Sequence, residues 1–243
     1  MSLDRQVPVF SQPATSQGGL VELLLRSGSA ARRLENELRA AIVRLELPPG
    51  TRLTEQDIAN RFGVSRQPVR EAFISLDRAG LLSVRAQRGT MVVRISRERM
   101  VAARFVREAV ESAVARQCCR GFDAAIRREL EENLDIQERV AGRADRERFT
   151  RLDEDFHWAL ARGCGMPTVW DALTDIKAHM DRVCHLTIPD TASMRPLVDQ
   201  HRAIMQAIDA KDADAAEAAM RHHLTEILRA LPRVEADNPD LFE

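Results

Sequence analysis

Between residues 48 and 89 the chain is punctuated so closely by turn-forming residues that no element there can be long, and this feature constrains the fold most. Pro48-Pro49-Gly50, Gly63, Gly80 and Gln87-Arg88-Gly89 cut the stretch into short segments. Proline lacks the backbone donor that a continuing helix or strand needs, and glycine favours turn conformations. Ahead of the stretch, Leu34, Leu38, Ala41, Ile42 and Leu45 recur at helical spacing, which predicts a helix over 31–45. Thr54 with Asp57 three residues later makes a capping-box-like start; Ile58, Ala59 and Phe62 supply an inward stripe and Gly63 the stop. Ser65 is placed to cap a third helix, Pro68 is tolerated in its first turn, and Val69, Ala72, Phe73 and Leu76 form its buried face. Residues 81–86 and 90–95, on either side of the basic tip at 87–89, read as a hairpin.

Beyond Ser96 the apolar periodicity is helical throughout, in stretches near 97–119, 123–141, 145–164, 167–187, 194–210 and 212–231, with breaks at Gly121, Gly142, Gly163 to Gly165, Pro189 and Pro232. The expected fold is therefore mainly α: a winged helix-turn-helix with a small β-hairpin wing, then an antiparallel bundle of six to seven helices. The expected layout is a flexible arm at 1–29, a first domain at 30–95 that carries the helix-turn-helix and hairpin, a helical second domain at 96–232, and a frayed tail at 233–243. The opening residues, MSLDRQVPVF, carry an acid and no apolar core of signal-peptide type, and no eighteen apolar residues run together. A cytoplasmic protein with no membrane partner is expected. Cys118, Cys119, Cys164 and Cys184 show no C-x-x-C spacing and read as reduced packing residues.

A net charge of −1 hides an asymmetry: residues 1–95 hold 14 Arg or Lys against 9 acids, and residues 96–243 hold 22 against 28. A polyanion would therefore be met by the first part of the chain. There, Arg66, Gln67 and Arg70 lie opposite the apolar face of the third helix and near its N-terminus, where a recognition helix reaches base edges. Arginine pairs bidentately with guanine and glutamine with adenine, while Arg88 on the wing could enter a minor groove or hold phosphate. A solvated Arg face is the plainer alternative. The whole stretch 47–92, with Pro49-Gly50, Leu53, Glu55, Ala59, Val64 to Ala72, Gly80-Leu81 and Arg88-Gly89, strongly resembles the winged helix of GntR-family regulators. The resemblance implies that Arg66 and Arg70 contact an operator, that Ser65 and Gln67 hold phosphate or a base edge, and that Gly89 approaches the minor groove. Threonine is commoner than Gln67 in that family, which leaves the half-site sequence open.

In the bundle, polar residues interrupt stripes that should be apolar, and burying them unpaired would be costly. Asp153 and His157 share the face of Phe149, Leu152, Phe156 and Leu160; His201 lies on the stripe of Leu197, Ile204, Met205 and Ile208; His223 lies with Ala216, Met220, Leu224 and Ile227. His222 is turned away. One carboxylate and three imidazoles suit Zn(II), Ni(II) or Mn(II), and hydrogen-bonded core histidines are the alternative. Arg107, on the stripe of Ala103, Val110 and Val114, could receive a carboxylate or simply pair with Glu111. His179 and Arg182 are further pocket candidates.

Residues 97–231 resemble the FCD effector domain of the FadR-type branch of GntR regulators, through Arg107 to Glu111, Asp153-x-x-Phe156-His157-x-x-Leu160, Gln200-His201-x-x-Ile204 and Ala219-Met220-x-x-His223-Leu224. This resemblance implies that Asp153, His157, His201 and His223 bind a divalent metal. Gly165-Met166-Pro167 departs from the family's common Gly-Asn-Pro, which points to a less polar effector. The expected protein is a homodimeric regulator of a palindromic double-stranded operator, more a repressor than an activator, responsive to a small organic acid held by metal and Arg107. Its rivals are a metal-free regulator of an acyl-thioester or other apolar ligand and a metal-dependent hydrolase; an enzyme is not expected, since no convincing general base accompanies the histidines.

Overall fold

The structure is a computed structural model that describes residues 20–85, 89–143, 145–187 and 191–243. The chain divides into two compact units, one ending at Ile95 and one spanning Ser96–Phe242. Among the described residues no helix is long and apolar enough to cross a membrane.

The first unit comprises α1 (Leu20–Val43), β1 (Arg52–Leu53), α2 (Glu55–Phe62), α3 (Arg66–Arg78), β2 (Leu82–Arg85) and β3 (Gly89–Val92). Residues 20–29 belong to α1 rather than to an arm. No proline interrupts the chain between Pro13 and Pro48, and the interior glycine Gly28 costs only about 1 kcal/mol relative to alanine. Residues 1–19, the rest of the expected arm, lie outside the described residues.

At the start of α2 the Thr54 hydroxyl accepts the Asp57 N–H at 3.1 Å and donates to its carboxylate at 2.6 Å. Gly63 ends the helix at φ +64°, its N–H donating to the Ala59 carbonyl; a side chain there would be strained, which makes this turn a glycine position. Ser65 does stand at the N-cap of α3, but its side chain makes no capping bond. Pro68, the third helical residue, removes one of the two N–H groups that such a hydroxyl could accept, and the other, that of Gln67, is not taken. The hairpin gains a third strand, in the order β1-β3-β2, with Arg52 opposite Met91, Leu53 opposite Thr90 and Arg85 opposite Gly89. A two-residue strand shows no alternation, so β1 was not legible in sequence. Leu38 and Ile42 of α1, Val69, Phe73 and Leu76 of α3, and Val92 of β3 are buried in the core of this unit.

The second unit contains α4 (Arg97–Cys118), α5 (Ala124–Ala141), α6 (Arg146–Gly163), α7 (Thr168–Ile176), α8 (Ala178–Thr187), α9 (Thr191–Asp209) and α10 (Ala213–Asp237). Asp123, Asp145 and Asp212 open α5, α6 and α10, each accepting main-chain N–H groups that a helix start leaves unpaired. Helix α10 lies against α4 and α9, and α5 against α6. Phe156 and Leu160 meet Ile204, Met205, Met220 and Leu224 in the main core, while Phe149 packs with Val140, Met194 and Val198. The segment after Pro232 is not frayed: α10 runs through the proline to Asp237, a short turn follows at Pro239–Leu241, and Val234 and Phe242 are buried. Apolar anchors on both sides of the proline hold the helix, and Asn238 Nδ2 donates to the Val234 carbonyl at 3.0 Å.

A Cβ on Gly163, the last residue of α6, would fall 2.2 Å from Cζ of the Phe122 ring. Displacing that ring costs about 1–3 kcal/mol, more than the gain of under about 1 kcal/mol from replacing a helix-end glycine. Urea unfolding of Gly163→Ala should therefore show a lower midpoint than wild type; an unchanged or raised midpoint would mean that Phe122 can leave at no cost.

Candidate DNA interface and candidate metal centre

On α3 the helical period puts Val69, Ala72, Phe73 and Leu76 inside and leaves Arg66, Gln67 and Arg70 exposed, with Ser65 exposed just ahead of them. Both arginines are gathered by one acid. Glu55, at the start of α2, accepts from Arg66 Nη2 at 2.8 Å and from Arg70 Nε at 3.0 Å. The hydrogen bonds from Arg70 and then Arg66 hold the Glu55 carboxyl below its usual range. Such exposed pairs add little stability, and their effect is orientation. Gln67 Nε2 donates to Glu71 at 2.9 Å. Gly89 opens β3, exposed, at φ +81°. The wing-tip residue Arg88 lies outside the described residues. Glu55 enters the sequence reading only as one of the residues that carry the family resemblance, so its part in aligning two arginines was missed.

In the second unit, Asp153 and His157 of α6, His201 of α9 and His223 of α10 converge, with one ligand atom from each inside a 4.8 Å span. The three imidazoles turn the same edge inward. His157 Nε2 lies 3.1 Å and His201 Nε2 3.3 Å from His223 Nε2, and Asp153 Oδ1 is 3.3 Å from His201 Nε2. Every Nδ1 faces an oxygen outside the cluster. His201 Nδ1 is 2.8 Å from Gln137 Oε1, His223 Nδ1 2.9 Å from Gln200 Oε1, and His157 Nδ1 2.6 Å from Glu111 Oε2. The last contact is close but bent away from hydrogen-bond alignment, although a carboxylate there still favours a proton on Nδ1.

The orientation of Gln137 follows from its other partner. Its Nε2 donates to the Leu152 carbonyl at 3.3 Å and to Asn133 Oδ1 at 2.7 Å. A carbonyl only accepts, so the Gln137 oxygen faces His201 and His201 Nδ1 carries the proton. Its Nε2 lone pair then points into the cluster. Burial pushes His201 and His223 below the usual imidazole value; for His201 the Asp153 carboxylate opposes this in part, and for His223 the neighbouring imidazoles reinforce it. Burial also disfavours the charged forms of Asp153 and Glu111, but it is outweighed. His201 and the other imidazoles hold Asp153 well below the carboxylate range, and Arg107 and His157 do the same for Glu111. Loss of a proton is thus favoured at His201, His223 and Asp153, and a cation binds these deprotonated forms. The Asp153 side chain keeps 24% of its surface accessible while those of His157 and His201 keep 1% and 0%.

Arg107 Nε pairs with Glu111, and Nη1 faces the Met180 thioether at 3.8 Å. The structure thus brings Arg107 to the edge of the cluster through Glu111. His179 is buried and accepts the Ser96 main-chain N–H on Nδ1 at 3.0 Å; Arg182 is fully buried, and burial pushes its guanidinium down to about 10. A cavity of about 10 Å³ beside the cluster, no larger than one water, is lined by Glu111, His157, Leu160, Trp170, Leu173 and Met220. The Trp170 ring stacks on His157, with centroids 5.9 Å apart and planes at 6°. Gln137 and Trp170 were missed in the sequence. Gln137 had a signal, since it falls on the stripe of Leu130, Leu134 and Ala141 and is 0% exposed.

The chain matches the bacterial regulatory proteins of the gntR family over residues 30–92 and the FCD domain over residues 103–226. It is 38% identical over 205 residues to the HTH-type transcriptional repressor RspR of Escherichia coli K12, covering 84% of this chain and 90% of RspR. It is 28% identical to the probable D-xylose utilization operon transcriptional repressor of Paenarthrobacter nicotinovorans, covering 76% of this chain and 80% of the relative. The solved structure of E. coli McbR/YncC shares the fold, with a TM-score of 0.74 over 84% of this chain and 97% of that one, at 20% identity. These are the domains of transcription regulators and not of enzymes, and the chain belongs to the GntR family of DNA-binding regulators, with an FCD effector-binding domain.

Proposed function

We propose that the chain is a homodimeric repressor that reads an inverted-repeat operator with Ser65, Arg66, Gln67, Arg70 and the wing at Arg88-Gly89, and that its operator affinity responds to a small carboxylate bound beside a divalent ion. The observation that carries the metal is the inward convergence of three imidazole Nε2 atoms and one carboxylate. With Nδ1 protonated on each ring, three lone pairs would face one another at hydrogen-bond distance with no proton to share, and a cation relieves this. Zn(II), Ni(II) or Mn(II) suits such a nitrogen-rich set, and when bound it would supply a Lewis-acidic anchor for an effector oxygen. The accessible edge of Asp153 supports an approach to the cluster. Arg107 supports an acid: its Nη1 meets a thioether, a weak acceptor that a carboxylate oxygen would outcompete. The apolar Trp170 and Leu173 beside the cluster favour an effector with a short apolar part. Repression is favoured because two relatives are named as repressors.

Selection of bound duplexes from a randomised pool should return an inverted repeat whose half-sites lie about one helical turn apart. Enrichment of unpaired half-sites alone would remove the dimer from this reading. For the metal centre, Gln137→Leu removes the acceptor that orients His201, and chelator competition should show metal affinity lowered about 10- to 100-fold. Unchanged affinity would mean that the His201 tautomer is set by something else.

A further inference from the structure

His179 does a task that neither operator reading nor metal binding needs. Its Nδ1 accepts the main-chain N–H of Ser96 at 3.0 Å, with Ser96 and His179 only 6% and 3% exposed. A main-chain N–H can only donate, so Nδ1 is the unprotonated nitrogen of this ring. Ser96 is the N-cap of α4 at φ −89°, ψ 117°, makes no side-chain capping bond, and supplies through its carbonyl the acceptor for Met100 N–H at 3.0 Å. It is also the first residue of the second unit, next in the chain to Ile95 at the end of the first. One imidazole therefore fixes the backbone at the point where the chain passes from one unit to the other.

The helix that carries His179 is tied to the four-residue cluster by two separate routes. Met180 of α8 meets Arg107 Nη1 at 3.8 Å, Arg107 Nε is paired with Glu111, and Glu111 lies 2.6 Å from His157 Nδ1. In the second route Lys177, just ahead of α8, binds Asp181 of that helix at 2.7 Å and Glu154 at 2.5 Å, and Glu154 is the chain neighbour of Asp153. Lys177 is buried, and burial alone would lower its pKa, but Asp181 and then Glu154 hold it charged and above its usual value. A shift of α4 at Arg107 and Glu111, or of α6 at Glu154, must be accommodated by α8, because buried, paired groups cannot be left unpaired cheaply.

We infer that α8 is the element through which occupancy of the cluster reaches the inter-unit junction, with the His179 Nδ1 to Ser96 N–H bond as its output. His179 is a positioning residue in this assignment and touches neither metal nor effector. The inference rests on the metal reading above, since occupancy of the cluster is its input. It accounts for a buried histidine outside the cluster whose partner is a junction backbone amide.

The test is amide-resolved hydrogen exchange at Ser96 in the full chain, with and without Zn(II) alone, alongside a direct measurement of zinc binding in the same samples. In wild type, zinc should change the Ser96 exchange rate by at least about fivefold, the lower end of ordinary coupling between sites. His179→Asn places an oxygen near the position of Nδ1 and should keep both the bond and the response. His179→Leu, with no acceptor, should bind zinc as wild type does while Ser96 exchanges fast whether or not zinc is present. Zinc binding with no change at Ser96 in wild type, or a response retained in His179→Leu, would overturn the relay while leaving the metal centre standing. Failure of wild type to bind zinc at all would overturn both.

Discussion

Protein loaded with a divalent ion and freed of excess should carry about one ion per chain, and His201→Ala and His223→Ala should carry none. The loss should exceed the 10- to 100-fold expected for an outer partner such as Gln137, because each variant removes a donor itself. His201 is fully buried and stacks on Phe156 at 4.2 Å, so its removal also leaves a cavity. His223→Ala, at a position 8% exposed near the edge of the core, and Asp153→Asn, which keeps shape and loses charge, separate ligand loss from packing loss when far-UV circular dichroism is recorded alongside. Elemental analysis decides the matter: stoichiometric metal in all three variants would remove these residues from the ligand set, and none in reconstituted wild type would end the metal reading. The DNA-binding family assignment is independent of either outcome, since it rests on the other unit.

Operator binding should weaken by about 1–3 kcal/mol in Arg66→Ala and likewise in Arg70→Ala, which is roughly 5- to 150-fold, with relaxed base preference at the positions they read. A uniform loss on specific and random duplexes, with a shallower salt dependence, would instead make them phosphate contacts. Glu55 sharpens the experiment. Replacing it with glutamine removes a negative charge that would face the phosphates, so affinity for random DNA should rise. The same change releases two guanidinium groups from one carboxylate, so the ratio of specific to random affinity should fall. A common carboxylate also couples Arg66 to Arg70, and their double variant should lose less than the two single losses added. Both affinities moving together in Glu55→Gln would show that the acid contributes charge alone.

Legibility followed the range of the interactions. The capping of α2 by Thr54, the glycine turn at Gly63 and the inward stripe of α3 are set within a few residues, and each appears in the structure as the spacing predicts. Failures came where a local rule met a particular neighbour. Ser65 stands at its cap position without a capping bond, and Pro68 has removed one of the two N–H groups it could accept. The segment after Pro232 stays helical because Val234 and Phe242 find buried places, although a proline ordinarily ends the pattern.

The same division separates the two candidate sites. The DNA face of α3 is a one-helix property, so periodicity alone placed Arg66, Gln67 and Arg70 together. The metal centre needs α6, α9 and α10 at once. Sequence could put Asp153, His157, His201 and His223 on inward stripes of their own helices, since helical period and apolar pattern are local. Whether these three stripes meet at one point depends on how the helices pack. So does the choice of Glu111, Gln137 and Gln200 to hold the outer nitrogens, and of His179 to hold Ser96. Those pairings join residues tens of positions apart in the chain, and no local rule specifies them; they exist because the close-packed bundle leaves each buried polar atom few neighbours with which to pair.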